Sequence, residues 1–314
     1  MTESIDHDQL FKQLLETFFA DFIELFAPAL CEYLDLSELT FLPQQYFTDL
    51  IDGERKAIDI LVQIPIKPDK ITAGQSHFTI LLHVENQASS EANFTRRMFF
   101  YFAELHRDYR VPVYPIAVFS FDEPQRAEPN QYSVSLPDLN VLTFNFQSIQ
   151  LNRLNWRDFL VRQNPVAAAL MSKMAISEQD RPKVKVECLR LLASLRLDPA
   201  RNFLISGFVD TYLRLNQAEE QVFQAEVARI GTVTEQEQVM QLTTSWMERG
   251  IEQGLERERR AAIDSLLESR HGSIDEQLAA IIPSLMVLTS TEYIPLILQL
   301  SRPELIERFT STQN

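Results

Sequence analysis

The spacing of apolar residues divides the chain into a first part with helices and strands and a second part with helices only. In residues 8–27 apolar side chains recur every three or four positions, which predicts an amphipathic α-helix. A second helix is predicted over residues 91–108 for the same reason. Strands are predicted where apolar, β-branched segments end at Pro, Gly or polar residues: 38–42, 56–64, 78–84, 114–121 and 141–146.

The pattern is helical from about residue 153 onward. A long charged stretch at 233–267 predicts one extended helix. Beyond it, Pro283 and Pro295 are expected to separate three short helices, because proline interrupts helical hydrogen bonding. The order of elements therefore predicts an α/β core followed by an all-α half.

Length and charge narrow the classes of function. A chain of 314 residues exceeds the ~250 residues over which single cores grow, so more than one domain is expected. The net charge is −15, and residues 1–150 hold 10 Lys and Arg against 22 Asp and Glu, a net of −12. Non-specific binding to phosphates needs a basic surface, so this charge argues against tight DNA binding by a single copy of the chain.

Nothing in the sequence is typical of a secreted or membrane-bound protein. The first residues are acidic and polar, unlike a signal peptide, and the most apolar helical stretch contains Asp21 and Glu24 and ends at Pro28. Cys31 and Cys188 are far apart and lack metal-ligand spacing, so both are expected to be reduced thiols. We therefore expect a soluble, cytoplasmic protein with no membrane partner.

Two carboxylates occur where the second and third predicted strands can bring them together. Asp59 lies within the apolar stretch AIDILV, and Glu85 lies at the end of the next strand. Because side chains two apart on a strand share a face, His83, Glu85 and Gln87 point to one side. Adjacent strands would let both acids reach one hard divalent cation such as Mg²⁺. The residues alone leave the ordinary interpretation open, in which the acids are hydrogen-bonded or solvated.

Five short motifs occur in a characteristic order: DQLFK at 8–12, IDILV at 58–62, LHVENQ at 82–87, FTRRMFFY at 94–101 and WMERGIEQG at 246–254. Together they resemble the PD-(D/E)XK nuclease superfamily and, more closely, its recombination-promoting, transposase-like branch. Residues 262–309 resemble a small helical domain of unknown function that often follows this branch, especially in cyanobacterial proteins. The resemblance covers most of the chain and rests on the order and spacing of the motifs.

The resemblance implies a restriction-endonuclease-like core, a mixed sheet flanked by helices, that cleaves DNA with Mg²⁺ or Mn²⁺. By position, Asp59 and Glu85 are the implied metal ligands and catalytic residues. Gln87 is the third implied catalytic residue. It stands where many members have a Lys, and its amide can orient the attacking water but has no positive charge. The accessory residues are Asp8 and Lys12, which share a helix face, and Arg97.

Two functions remain open on the sequence. The first is a metal-dependent DNA endonuclease of the recombination-promoting kind, with DNA as its partner. The second is a weakly active or inactive nuclease-fold protein that acts as a protein-interaction module through its helical half. Relatives often have a Glu at the place of Gln45, so this residue and the net charge of −12 favour the second function. The order Asp59, Glu85, Gln87 favours the first.

Three domains are expected: a nuclease-like core at 1–160, a helical extension with the long charged helix at 161–260, and a small helical domain at 261–314. Within the long helix, Gly250 and Gly254 lie four residues apart between charged residues, which exclude a membrane-embedded dimer motif. A solvated helix and a helix-pairing segment both fit this spacing. The second interpretation predicts a homodimer through the helical half.

Overall fold

The computed structural model describes residues 7–43, 46–48, 55–72, 74 and 77–310, and of residues 46–48, 55–57, 244–258 and 310 it describes the backbone only. The chain forms two compact units, residues 1–242 and 243–314. The predicted α/β core followed by an all-α region is confirmed. The three-part division at 160 and 260 stays a prediction. Among the described residues, no helix is long and apolar enough to cross a membrane.

The described strands form one five-stranded sheet and two separate antiparallel pairs. They are β1 (Thr40–Phe41), β2 (Tyr46–Thr48), β3 (Arg55–Ala57), β4 (Ile60–Pro65), β5 (Thr79–Gln87), β6 (Val113–Phe119), β7 (Gln131–Leu136), β8 (Leu139–Asn145) and β9 (Gln147–Gln150). The large sheet has the order β1-β4-β5-β6-β9, while β2 pairs with β3 and β7 with β8. The pairs β1–β4 and β4–β5 are antiparallel, and β5–β6 and β6–β9 are parallel, so the sheet is mixed.

Helices of the first unit cover both faces of the large sheet. They are α1 (His7–Thr17), α2 (Phe19–Phe26), α3 (Pro28–Tyr33), α4 (Phe94–Tyr109), α5 (Pro165–Leu170), α6 (Arg181–Leu195), α7 (Pro199–Tyr212) and α8 (Gln217–Val227). Even-numbered strand residues such as Leu82 and Val118 face a core shared with α1, α2 and α5 to α7. Odd-numbered Leu61 and Leu81 pack against α4. This alternation follows from the two-residue period of a strand.

The helix predicted over 8–27 consists of two helices that meet at Phe18, so the prediction of one helix is wrong. Phe18 leaves the helical conformation with φ −125° and ψ 39°. Both Phe18 and Phe19 are buried. Successive residues of a straight helix point in different directions, and the break lets both aromatic side chains enter the core.

Two predicted strands are placed differently in the structure. The stretch 56–64 is divided between β3 and β4, and Asp59 lies in a bend between them. The strand predicted at 141–146 corresponds largely to β8, which pairs with β7, while β9 forms the edge of the large sheet. The apolar character of β8 reflects a contact with α4 instead, since the ring of Phe144 lies 5.1 Å from that of Phe102.

The second unit is a helical bundle built on the last turns of a long helix. This helix, α9 (Val233–His271), has 39 residues and begins in the first unit. Its Ile263 and Leu267 form a buried core with the short helices α10 (Glu276–Val287), α11 (Ser290–Gln299) and α12 (Arg302–Thr310). Pro283 and Pro295 lie inside α10 and α11, so the prediction that they separate helices is wrong. Burial of the neighbouring apolar residues outweighs the hydrogen bond that each proline removes.

Candidate metal site

Asp59 lies where β4 begins and β5 extends beyond it. β4 pairs with β5 as far as Val84, which stands opposite Ile60. Farther along β5, the backbone N–H of Asn86 donates to Asp59 Oδ2 at 2.8 Å. The Asp59 side chain thus satisfies a backbone donor that β4 leaves unpaired. The adjacency of the two strands, predicted from the sequence, is confirmed and holds Asp59 beside the end of β5.

Glu85 lies on the face of β5 that α4 covers, and only 5% of its surface is exposed. His83 Nε2 lies 2.8 Å from Glu85 Oε1, and His83 is itself fully buried beside Tyr101. The backbone N–H of Asp59 donates to the same oxygen at 3.3 Å. An imidazole and a backbone N–H therefore fix the orientation of this carboxylate.

The two carboxylates repel each other. Burial, followed by the charge of Glu85, raises the pKa of Asp59 from its ordinary 3.8 to about 7. The hydrogen bond from Asn86 acts in the opposite direction and lowers this pKa. Near neutral pH the pair therefore tends to keep a proton, and a bound cation would compete with that proton.

Asp8 and Lys12, on the first turns of α1, approach the pair from the other face of the sheet. Asn86 Nδ2 donates a long hydrogen bond to Asp8 Oδ1, at 3.4 Å. The charge of Asp8 raises the pKa of Asp59, and the charge of Lys12 lowers it. Lys12 also forms a long ion pair with Glu16, at 3.9 Å. Both accessory residues from α1 therefore act on Asp59 electrostatically.

Gln87 is buried, and both ends of its amide have partners. Arg97 Nη2 donates to Gln87 Oε1 at 2.6 Å. Gln87 Nε2 donates to the backbone oxygen of Ser89 at 2.7 Å and, more weakly, to Glu91 Oε2 at 3.4 Å. Arg97 also forms an ion pair with Glu91. A guanidinium thus stands beside the position where the resemblance would place a Lys.

The arrangement around Asp59 and Glu85 fits a hard divalent cation. Mg²⁺ takes one or two carboxylates together with waters, and a cation would relieve the repulsion within the pair. Asn86 Oδ1 is a buried acceptor without a hydrogen-bond partner in the described part of the chain, so an ion or its water could satisfy it. Among the described residues, no group of three or more His, Cys, Asp and Glu side chains is placed to hold a metal.

Several residues of the site were not found from the sequence. Asn86 and Glu91 each bind a predicted site residue. The available signal for Asn86 was a second polar residue beside Glu85 in an apolar strand. Gln45 lies outside the described residues, so the comparison of this position with Glu stays a prediction. The stretch with Gly250 and Gly254 lies where side chains are not described, so the predicted helix pairing also stays untested.

Comparisons with known proteins do not assign this chain to a family. No protein-family model matches it, and neither the curated proteins nor the solved structures give a significant match. The resemblance to PD-(D/E)XK nucleases therefore stays a prediction that rests on the motifs.

Proposed function

We propose that this chain is a metal-dependent DNA endonuclease in which Asp59 and Glu85 hold Mg²⁺ or Mn²⁺. The observation that supports it most directly is the pairing of half-buried Asp59 with buried Glu85, in which burial and the charge of Glu85 raise the pKa of Asp59 to about 7. Two adjacent acids withdrawn from water destabilise each other unless a proton or a cation lies between them. The choice of DNA as substrate rests on the motif resemblance to recombination-promoting nucleases.

Neighbouring residues hold the carboxylates of Asp59 and Glu85 in the orientation needed to bind the ion. The N–H of Asn86 fixes Asp59, and the imidazole of His83 fixes Glu85. When bound, the ion would polarise a phosphodiester and lower the pKa of a coordinated water. Because the surrounding partners already orient both carboxylates, binding of the ion requires little rearrangement.

Arg97 supplies the fixed positive charge in this proposal. Its guanidinium is held by Gln87 and Glu91, and Gln87 lies on the same face of β5 as Glu85. A phosphodiester gains negative charge during hydrolysis, and a pre-positioned cation stabilises that charge. Gln87 then acts as the positioning residue for Arg97. Its orientation of the attacking water, which the resemblance implies, requires the amide to exchange its present partners.

The acidic surface sets the conditions for DNA binding. Residues 1–150 have a net charge of −12, which repels the phosphate backbone. We therefore propose that DNA binds weakly without divalent cations, because the acidic surface opposes the approach of the phosphates. A homodimer through the helical half would gather Arg side chains from two copies and is part of this proposal.

A second candidate function is a protein-interaction module without nuclease activity. Two observations favour it. Both ends of the Gln87 amide already have hydrogen-bond partners, and residues 1–150 have a net negative charge. In that case the Asp59–Glu85 pair would keep its proton and have no role in turnover.

Nicking of supercoiled plasmid DNA distinguishes the two functions. With Mg²⁺ or Mn²⁺ we expect the wild type to nick the plasmid and Asp59→Asn and Glu85→Gln to lose most of this activity. Asp69→Asn is the matched control, because the Asp69 side chain is 70% exposed and lies away from the pair. Equal nicking by the wild type and both site variants, or none by any of them, would refute the nuclease.

A further inference from the structure

A cleft beside the candidate site has no role in the proposed chemistry. It lies between the first turn of α4 and the segment 126–129, and its volume is about 290 Å³. Phe94, Ala127 and Pro129 provide apolar walls, and Arg126 and Glu128 provide charge. Pockets for small ligands begin near ~300 Å³, so this cleft suits one compact ligand group.

Glu128 is the buried carboxylate of the cleft. Only 6% of its side chain is exposed. Its Oε1 accepts a hydrogen bond from the hydroxyl of Ser90 at 2.9 Å, and Arg126 Nε lies 3.8 Å from the same oxygen. Within the described part of the chain, the second oxygen, Oε2, has no donor. A carboxylate with one oxygen engaged by Ser90 and the other without a donor favours a ligand that brings N–H groups.

The segment that holds Glu128 is fixed by Gln150, at the end of β9. Gln150 Oε1 accepts from the backbone N–H of Glu128 at 3.0 Å, and Gln150 Nε2 donates to the backbone oxygen of Arg126 at 2.8 Å. Gln150 is itself buried and bonded to Asn152. The cleft is therefore preformed, which reduces the entropy cost of binding.

Arg126 is the exposed cation of the cleft, whose lining also holds the carboxylates of Glu91 and Glu128. The side chain of Arg126 is 73% exposed and can reach toward a ligand. Thr95 lies in the first turn of α4, and Asn93 makes no side-chain hydrogen bond to cap that turn. The N–H of Phe94 donates to the backbone oxygen of Glu91 at 3.2 Å, so the N–H groups of the next residues in this turn are the ones that can favour an anion. A ligand with N–H donors at one end and an anion at the other matches this distribution.

We propose that the cleft binds an unpaired guanine nucleotide of the nucleic-acid substrate. Guanine is the base with two adjacent donors, N1–H and the 2-amino group, which a carboxylate such as Glu128 can accept together. Phe94 and Pro129 provide apolar surface for the base, and Arg126 faces its phosphate. A basic peptide would also bring N–H donors to Glu128, but Arg126 would repel it.

The proposal rests on the proposed function for the identity of the substrate. Glu91 links the two sites, since it lines the cleft and binds both Arg97 and Gln87. A strand whose guanine occupies the cleft would therefore pass close to the carboxylate pair. The cleft would favour cleavage near an unpaired guanine, as in a single strand, a bulge or a frayed end.

Calorimetric titration of the full chain with mononucleotides tests the cleft without any cleavage reaction. The probes are guanosine 5′-monophosphate and inosine 5′-monophosphate, which lacks only the 2-amino group, in buffer with EDTA. We expect the guanine nucleotide to bind about tenfold more tightly, the loss expected when one good base contact is removed. Glu128→Gln should abolish the difference between the two probes. Arg126→Ala should weaken both nucleotides and leave guanosine unchanged.

The outcomes keep the two proposals apart. Asp59→Asn should bind the guanine nucleotide as the wild type does, because it changes the carboxylate pair and not the cleft. The cleft proposal is overturned if the two nucleotides bind with equal affinity or if neither binds. Binding of a tri-arginine peptide in their place would overturn it as well. If the chain binds the guanine nucleotide selectively but never nicks DNA, the nuclease proposal is refuted and the cleft remains a guanine-binding site.

Discussion

Replacing Asp59 by Asn should stabilise the metal-free protein above neutral pH. An Asn oxygen can still accept the hydrogen bond that the N–H of Asn86 gives to Asp59. The Asn amide can also donate toward Glu85, whose carboxylate raises the pKa of Asp59. The substitution therefore keeps the local structural contact and removes the repulsion between half-buried Asp59 and buried Glu85.

The size and sign of the effect follow from the pKa of Asp59. This pKa rises from 3.8 in the unfolded chain to about 7 in the folded one. Between these values the folded state holds a proton that the unfolded state has released, so stability falls as the pH rises through this window. A shift of about three units corresponds to at most ~4 kcal/mol. Solvent screening at this partly exposed residue reduces the effect to about 2 kcal/mol.

Thermal unfolding followed by circular dichroism in EDTA measures this effect. At pH 8 we expect the Asn variant to melt roughly 4–8 °C above the wild type, and the difference should shrink toward pH 4. Addition of Mg²⁺ should raise the melting temperature of the wild type and not that of the variant. Asp69→Asn, at an exposed position, should show neither change. A variant that melts at or below the wild type at pH 8 would show that the two carboxylates do not repel each other.

Two further predictions concern the surroundings of the pair, and a third concerns the extent of the first folding unit. Arg97→Ala removes a buried charge-assisted donor, so we expect a loss of about 1–3 kcal/mol in urea unfolding and a larger fractional loss of nicking; full activity would exclude a role for its charge. His83→Phe leaves Glu85 without its imidazole partner, and a similar loss of about 1–3 kcal/mol is expected; unchanged stability would mean that this hydrogen bond contributes nothing. Residues 1–242 expressed alone should unfold cooperatively, whereas residues 1–160 should not, because the fragment lacks the helices that complete the sheet's core; cooperative unfolding of the shorter fragment would contradict this.

The central strands could be predicted because the sequence pattern and the tertiary contacts agree there. Around Leu82 and Val84 the chain alternates between two buried faces, so it is apolar throughout and reads as a buried strand. The placement of His83 and Glu85 on one face follows from the same period and needs no long-range information. The sequence predicted that Asp59 and Glu85 could meet if the two strands were adjacent, because each acid interrupts a long apolar stretch, but the pairing register itself comes from the structure.

The remaining contacts depend on residues that are distant in sequence or on choices between equivalent partners. The strand with Phe144 is apolar enough for the large sheet, yet the ring of Phe144 packs on α4 and the strand pairs with β7 instead. No local pattern distinguishes these two partners. The engagement of Gln87 by Arg97 joins a strand end to the second turn of a helix, and its geometry depends on how α4 packs. Sequence spacing identified both residues but not their contact.

The local contacts alone do not explain why two ionisable acids meet at the end of β5. The N–H of Asn86 needs an acceptor, and an Asn at position 59 would provide one without charge. His83 needs a partner for Nε2, and a Gln at position 85 would serve. Burial and then the charge of Glu85 raise the pKa of Asp59 to about 7, and either replacement would remove the repulsion between the two acids. A sequence that keeps both acids therefore gives up stability at this strand end. The cleft and Arg97 lie at the same strand end. Groups with strongly shifted pKa values concentrate at functional sites. We infer from this local loss of stability that the pair serves ligand binding, and the response of the wild type and Asp59→Asn to Mg²⁺ measures how much of that loss a cation recovers.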